Sequence, residues 1–123
     1  MTHALKFYRF LVERGARARM LAIEAPKTEW ATPLEMFEDA YKHEQYVTSR
    51  INDIMTAAIE VRDYATQSML NWFVDEQVEE EANADGIARK LKLIDNNPQG
   101  LYMLDSELAT RVFVDATQTG SAT

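Results

Sequence analysis

The chain has 123 residues and a mass of 14.1 kDa, enough for one domain with a modest core and little surplus. Its net charge of −7 disfavours nucleic acid and anionic membrane as partners and favours cations, and the absence of cysteine excludes disulfides and thiolate metal sites. With 4 Gly and 3 Pro the composition favours long helices over many turns; no apolar run approaches a membrane span and no signal-peptide pattern opens the chain, so a soluble cytoplasmic protein is expected.

Residues 1–14 form a first amphipathic segment, with His3, Phe7 and Phe10 on one side and Lys6, Arg9 and Glu13 mostly elsewhere. Thr2 is its one candidate cap, and Gly15 stands where a helix C-terminus ends. Its front reads either as a helix cut short or as a frayed terminus. Residues 15–32 show no period and serve as a crossover between the ends of a bundle, held by the apolar patch Met20–Ile23 and by Trp30. Thr32-Pro33-Leu34-Glu35 is the clearest local signal: an N-cap, a proline at the first helical position and a capping-box glutamate. The helix that follows is expected over 33–62, with the stripe Leu34, Phe37, Tyr41, Glu44, Thr48, Ile51, Met55 and Ala58 at spacings of three and four.

Asp63 is a plausible N-cap for another long helix over 64–94. Its stripe runs Leu70, Phe73, Gln77, Glu80, Ala84, Ile87, Leu91 and Ile94, so an amide and a carboxylate occupy the middle of a face that should be apolar. A connection this short makes antiparallel neighbours, and counting from it puts Glu44 and Glu80 within a few Å of the same height. Residues 95–100 read as a turn cluster, and Asp105 as the cap of a short last helix over 105–114 with Leu104, Leu108 and Val112 as its apolar face. The tail, 117–123, is small and polar and is expected to be disordered. There is no internal repeat and no strand pattern.

Two carboxylates at one level of a seam repel each other unless protonated, paired or bridged by a cation. Together with Gln77 they resemble half of a carboxylate-bridged di-iron site inside a four-helix bundle, built of oxygen ligands that suit iron, manganese or magnesium. The competing readings are a pair neutralised by Arg or Lys, and a helix register one position away from the one read. Glu76 and Glu79 lie one step off the seam, where they read as solvated acids or as a secondary cation site; Glu81 reads as solvated. His3 reads as an ordinary terminal histidine, His43 points toward solvent, and Trp30 and Trp72 pack. No nucleophile elbow, phosphate-cradling glycine loop or dinucleotide fingerprint occurs.

Tyr41-Lys42-His43-Glu44-Gln45, followed by Trp72-Phe73-Val74-Asp75-Glu76-Gln77-Val78-Glu79-Glu80-Glu81, resembles the third and fourth helices of bacterial non-haem ferritin. Gly100-Leu101-Tyr102 through Asp105-Ser106-Glu107-Leu108 resembles that family's last short helix. The resemblance implies ferroxidase ligands at Glu44 and Glu80, a glutamine beside the dinuclear centre at Gln77, and a third iron site at Glu76 and Glu79. It also implies a ligand histidine at His3, whose bridging glutamate partner would precede Met1. On this resemblance the first helix and the front of the second are missing, as in a ferritin begun at an internal methionine.

The expected fold is therefore all-α: a ferritin-like helical hairpin that completes a four-helix bundle by pairing with a second copy, as a homodimer or a larger ferritin-type assembly. The expected function is intracellular iron storage, with Fe2+, Fe3+ and dioxygen as partners, a di-iron carboxylate site, no haem, and ferroxidase activity impaired by the missing helices. The alternatives are a metal-free structural or interaction fragment, and a full-length ferritin whose true start lies upstream.

Overall fold

Thr2 opens the first helix by accepting the Leu5 backbone N–H on its hydroxyl, and α1 runs His3–Glu13. In this computed structural model, which describes residues 2–95 and 97–111, the chain divides into two units: Met1–Lys27 with Ala109–Thr123, and Thr28–Leu108. Within the first unit α1 ends as Gly15 takes φ +75°, while Ala16 N–H reaches the Leu11 carbonyl and Gly15 N–H the Val12 carbonyl. These paired bonds make a Schellman motif, which satisfies carbonyls that the helix leaves open. His3, Lys6, Phe7 and Phe10 are partly buried, whereas Leu5, Tyr8, Leu11 and Val12 are exposed.

The segment 16–30 has no helix or strand. Its apolar patch does not pack as expected: Met20, Leu21 and Ile23 are 77%, 75% and 94% exposed. A segment without a period presents no single face, so its apolar residues have no geometric reason to point inward together. Trp30 does anchor the start of the second unit, because its indole N–H donates to Asp39 Oδ2 at 3.0 Å.

The second unit is a helical hairpin with a short helix behind it. Thr32 Oγ1 accepts the Glu35 N–H at 3.1 Å, Pro33 takes the first position, and α2 runs Pro33–Glu60. Glu35 reaches back one residue further than in the usual capping box, accepting from Ala31 N–H at 3.0 Å. The helix stops short of the expected position 62 because Arg62 is left-handed, at φ +60°. A second Schellman motif forms there: Asp63 N–H reaches the Ala58 carbonyl at 2.8 Å and Arg62 N–H the Ile59 carbonyl at 3.1 Å. Asp63 then caps α3, Tyr64–Ile94, by accepting from the Thr66 N–H and hydroxyl at 3.1 and 2.6 Å.

Each residue of the two seams is buried or partly buried, from Leu34 to Ala58 on α2 and from Leu70 to Ile94 on α3 at the spacings read from the sequence. Phe73 and Leu70 are almost wholly enclosed, each contributing roughly 1.5–3 kcal/mol of burial. The buried face of α3 is broader than one row, since Ala88 is buried beside Ile87. Glu81 accordingly lies partly buried on its shoulder and not on a solvated face, because positions four apart also share a helix side.

The last helix begins earlier than expected. Asn97 Oδ1 accepts from the Gln99 and Gly100 N–H groups, Pro98 occupies the first position, and α4 runs Pro98–Ala109, so 98–104 are helix and Asp105 is not its cap. Leu104 packs with Ile87 and Leu91 in a cluster that Leu34, Phe37, Ile94, Leu101 and Leu108 flank. Gly100 is required by this packing, because a Cβ there would meet Ile94 Cγ2 at 2.8 Å. Lys92–Glu38 at 3.0 Å and Lys90–Glu107 add exposed ion pairs between the helices, each of small worth. Val112, Phe113, the tail 117–123 and Met1 lie outside the described residues. Among the described residues there are four helices and no strand, and no helix is long and apolar enough to cross a membrane.

Candidate metal centre

The middle of the hairpin holds a polar insertion built from three residues. Glu44 and Thr48 are one turn apart on α2, and the Thr48 hydroxyl donates to the Glu44 carbonyl at 3.0 Å. From α3, the Gln77 amide crosses the seam. Its Nε2 donates toward the Glu44 carbonyl oxygen at 3.1 Å, toward Glu44 Oε2 at 3.1 Å and toward Thr48 Oγ1 at 3.2 Å. Gln77 is 1% exposed, the one buried polar side chain among the described residues.

This network settles which way the amide faces. Glu44 supplies only acceptors, and the single Thr48 proton is already given to the Glu44 carbonyl. All three neighbours therefore accept, so Nε2 must face them and Oε1 must face elsewhere. Gln77 Oε1 is left buried with no hydrogen-bond partner. A stranded carbonyl oxygen costs about 1–3 kcal/mol unless a donor or a cation meets it.

Glu80 follows Gln77 by three positions, about 4.5 Å further along α3 toward the level of the N-terminal half of α2. It is partly buried. Among the described residues neither Glu80 nor Glu44 forms an ion pair with Arg or Lys, so the cationic neutralisation considered for the seam is not found. Glu76 is partly buried and Glu79 exposed, while His43 is exposed as expected. His3 is the first residue of α1, in the other unit, and is partly buried.

The structure thus brings Glu44 and Gln77 together directly. Among the described residues no three of the His, Asp and Glu side chains group as a ready-made metal site. Thr48 is the participant that sequence reasoning gave no role. Its signal was present, as a hydroxyl in an otherwise apolar stripe one turn from Glu44, but a seam threonine also reads as an ordinary β-branched filler. The donor set at the seam is carboxylate and carbonyl oxygen, the chemistry of a hard cation.

The chain is similar to known proteins over most of its length. A family model described as a ferritin-like domain matches residues 1–94. The bacterial non-heme ferritin of Staphylococcus aureus is 42% identical over 111 residues, covering 90% of this chain and 67% of that protein. That of Escherichia coli is 39% identical over 110 residues, covering 89% of this chain and 67% of the relative. Among solved structures, an engineered closed form of the Archaeoglobus fulgidus ferritin superposes with a TM-score of 0.87 at 46% identity, over 91% of this chain and 68% of the other. The open-pore ferritin of the same archaeon gives a TM-score of 0.88 at 45% identity, over 89% of this chain and 68% of the other. The chain spans about two thirds of the length of the curated relatives it matches.

Proposed function

The chain belongs to the ferritin family, and on that premise we propose that it binds iron at the acidic seam between α2 and α3 and serves intracellular iron storage. Iron is the cargo here. The observation that carries this reading is the stranded Gln77 Oε1 beside Glu44, in a seam whose carboxylates have no Arg or Lys partner among the described residues. Glu44 and Glu80 act as carboxylate ligands that gain from a bound cation what they lack from the protein. Gln77 adds a neutral oxygen to this set. Glu76 and Glu79 form a secondary, weaker cation site on the flank of the same helix. The family resemblance gives His3 the part of a nitrogen donor and gives the bound iron(II) oxidation by dioxygen.

Self-association belongs to the same reading, since Tyr46, Ile54, Ile59 and Val78 leave apolar surface exposed on α2 and α3. A homodimer or a larger ferritin-type assembly covers that surface, and a compact helical monomer in sedimentation experiments would count against it.

Iron(II) titration followed in the near ultraviolet tests the function. Wild type is expected to bind, Glu44→Ala and Glu80→Ala to bind much more weakly, and a His3→Ala arm reads the contribution of that residue. If wild type binds no iron(II), the storage reading fails and a metal-free helical domain remains.

A further inference from the structure

We propose that Thr48 is a positioning residue for this cation site: its hydroxyl keeps the Gln77 amide in place when the Glu44 carboxylate turns to a cation. The inference rests on the reading of the α2–α3 seam as a cation site and assigns a device within it. Gln77 Nε2 carries two hydrogens and faces three acceptors, at 3.1, 3.1 and 3.2 Å. One acceptor is therefore surplus before a cation binds. The surplus has a use, because Glu44 Oε2 is the one acceptor of the three that can leave. A cation draws carboxylate oxygens toward itself, and Oε2 then no longer serves the amide.

After that change the two N–H groups of Gln77 still have two acceptors, the Glu44 backbone carbonyl and Thr48 Oγ1. The hydroxyl cannot reverse its role, since its own proton is held by the Glu44 carbonyl at 3.0 Å. Nε2 stays where it was, and Oε1 remains the end of the amide presented to positive charge. Without the hydroxyl, binding a cation would strand one buried N–H of Gln77. A stranded buried donor corresponds to an affinity loss of about 5- to 150-fold.

The same count predicts almost no effect before metal is added. In the metal-free protein Nε2 keeps both acceptors of Glu44 even when Thr48 is replaced by its isostere valine. A residue that merely packs would show the opposite pattern, a loss of stability that metal does not change.

Cobalt(II), which reports binding by its visible absorption without oxygen chemistry, is the probe for the 123-residue chain. Thr48→Val is expected to melt like wild type without metal and to bind cobalt(II) about 5- to 150-fold more weakly. Thr48→Ser, which restores the hydroxyl, is expected to bind close to wild type. Repeated in a Gln77→Met background, where no amide needs holding, Thr48→Val should cost nothing further. The positioning role is overturned if Thr48→Val binds like wild type while Glu44→Ala does not, or if valine and serine weaken binding equally. It is also overturned if Thr48→Val weakens binding as much in the Gln77→Met background, or if it melts well below wild type before metal is added. A Glu44→Ala protein that binds cobalt(II) like wild type instead removes the cation-site reading itself.

Discussion

Gln77 Nε2 donates to Glu44 Oε2 at 3.1 Å across 33 positions of sequence, tying the middle of α3 to the middle of α2. The bond is charge-assisted on one side and leaves the amide oxygen stranded on the other. Gln77→Met separates these contributions. It removes the hydrogen bonds and the unsatisfied oxygen together while conserving volume, so metal-free stability should stay within about 1 kcal/mol of wild type. Cation affinity should fall, because a neutral oxygen donor is gone. Urea denaturation beside a cobalt(II) titration checks both halves.

Glu80→Gln should stabilise the metal-free protein. The wild-type carboxylate is partly buried and has no ionic partner among the described residues, so its neutral isostere avoids part of a desolvation cost. A gain of about 0.5 kcal/mol, or a few degrees of melting temperature, is expected. Added iron(II) under anaerobic conditions should raise the melting temperature of wild type and leave the variant nearly unmoved. Equal shifts in the two proteins would exclude Glu80 as a ligand.

The hairpin turn offers a change remote from the metal. Arg62 sits at φ +60°, where a Cβ is unfavourable, and its side chain is exposed. Arg62→Gly relieves that strain and should raise stability by about 0.5–1 kcal/mol after the extra freedom that glycine gives the unfolded chain. A higher urea midpoint with an unchanged slope is the expected result.

At Gly100 the sign is reversed. Alanine favours helices by up to about 1 kcal/mol, but its Cβ would stand 2.8 Å from Ile94 Cγ2, on a β-branched side chain with little freedom to yield. Overpacking is the larger effect, and Gly100→Ala should destabilise by about 1 kcal/mol or more. An increase in thermal stability would show that α4 can shift away from Ile94 at no cost.

Much of this molecule was legible in its sequence, for identifiable reasons. The seams of α2 and α3 could be read because each repeats its spacing over many turns, so a polar residue in the series, such as Glu44 or Gln77, stands out. The start of α4 could not be read in the same way. Asn97-Pro98 is both a turn signal and a cap followed by a first helical residue, and only the bonds from Asn97 Oδ1 to Gln99 and Gly100 decide between them. Met20–Ile23 misled because hydropathy without a period says what a segment contains but not where it points. The role of Thr48 was hidden for a different reason. It depends on where one proton goes, and that follows from geometry between two helices, not from spacing along either one.

The two Schellman-and-cap devices around Val61–Asp63 have a consequence for how this chain can change its length. With the turn pinned at Arg62 and Asp63, the distance in residues from Glu44 to the turn and from the turn to Gln77 becomes a measured quantity. One residue inserted into either arm rotates its polar group by about 100° and moves it by about 1.5 Å, away from its partner. Only additions close to whole numbers of helical turns, made equally on both arms, would bring amide and carboxylate face to face again. Between these two residues, tolerated variation should consist of substitutions, with gains and losses of length confined to the segments before Thr32 and after Ile94.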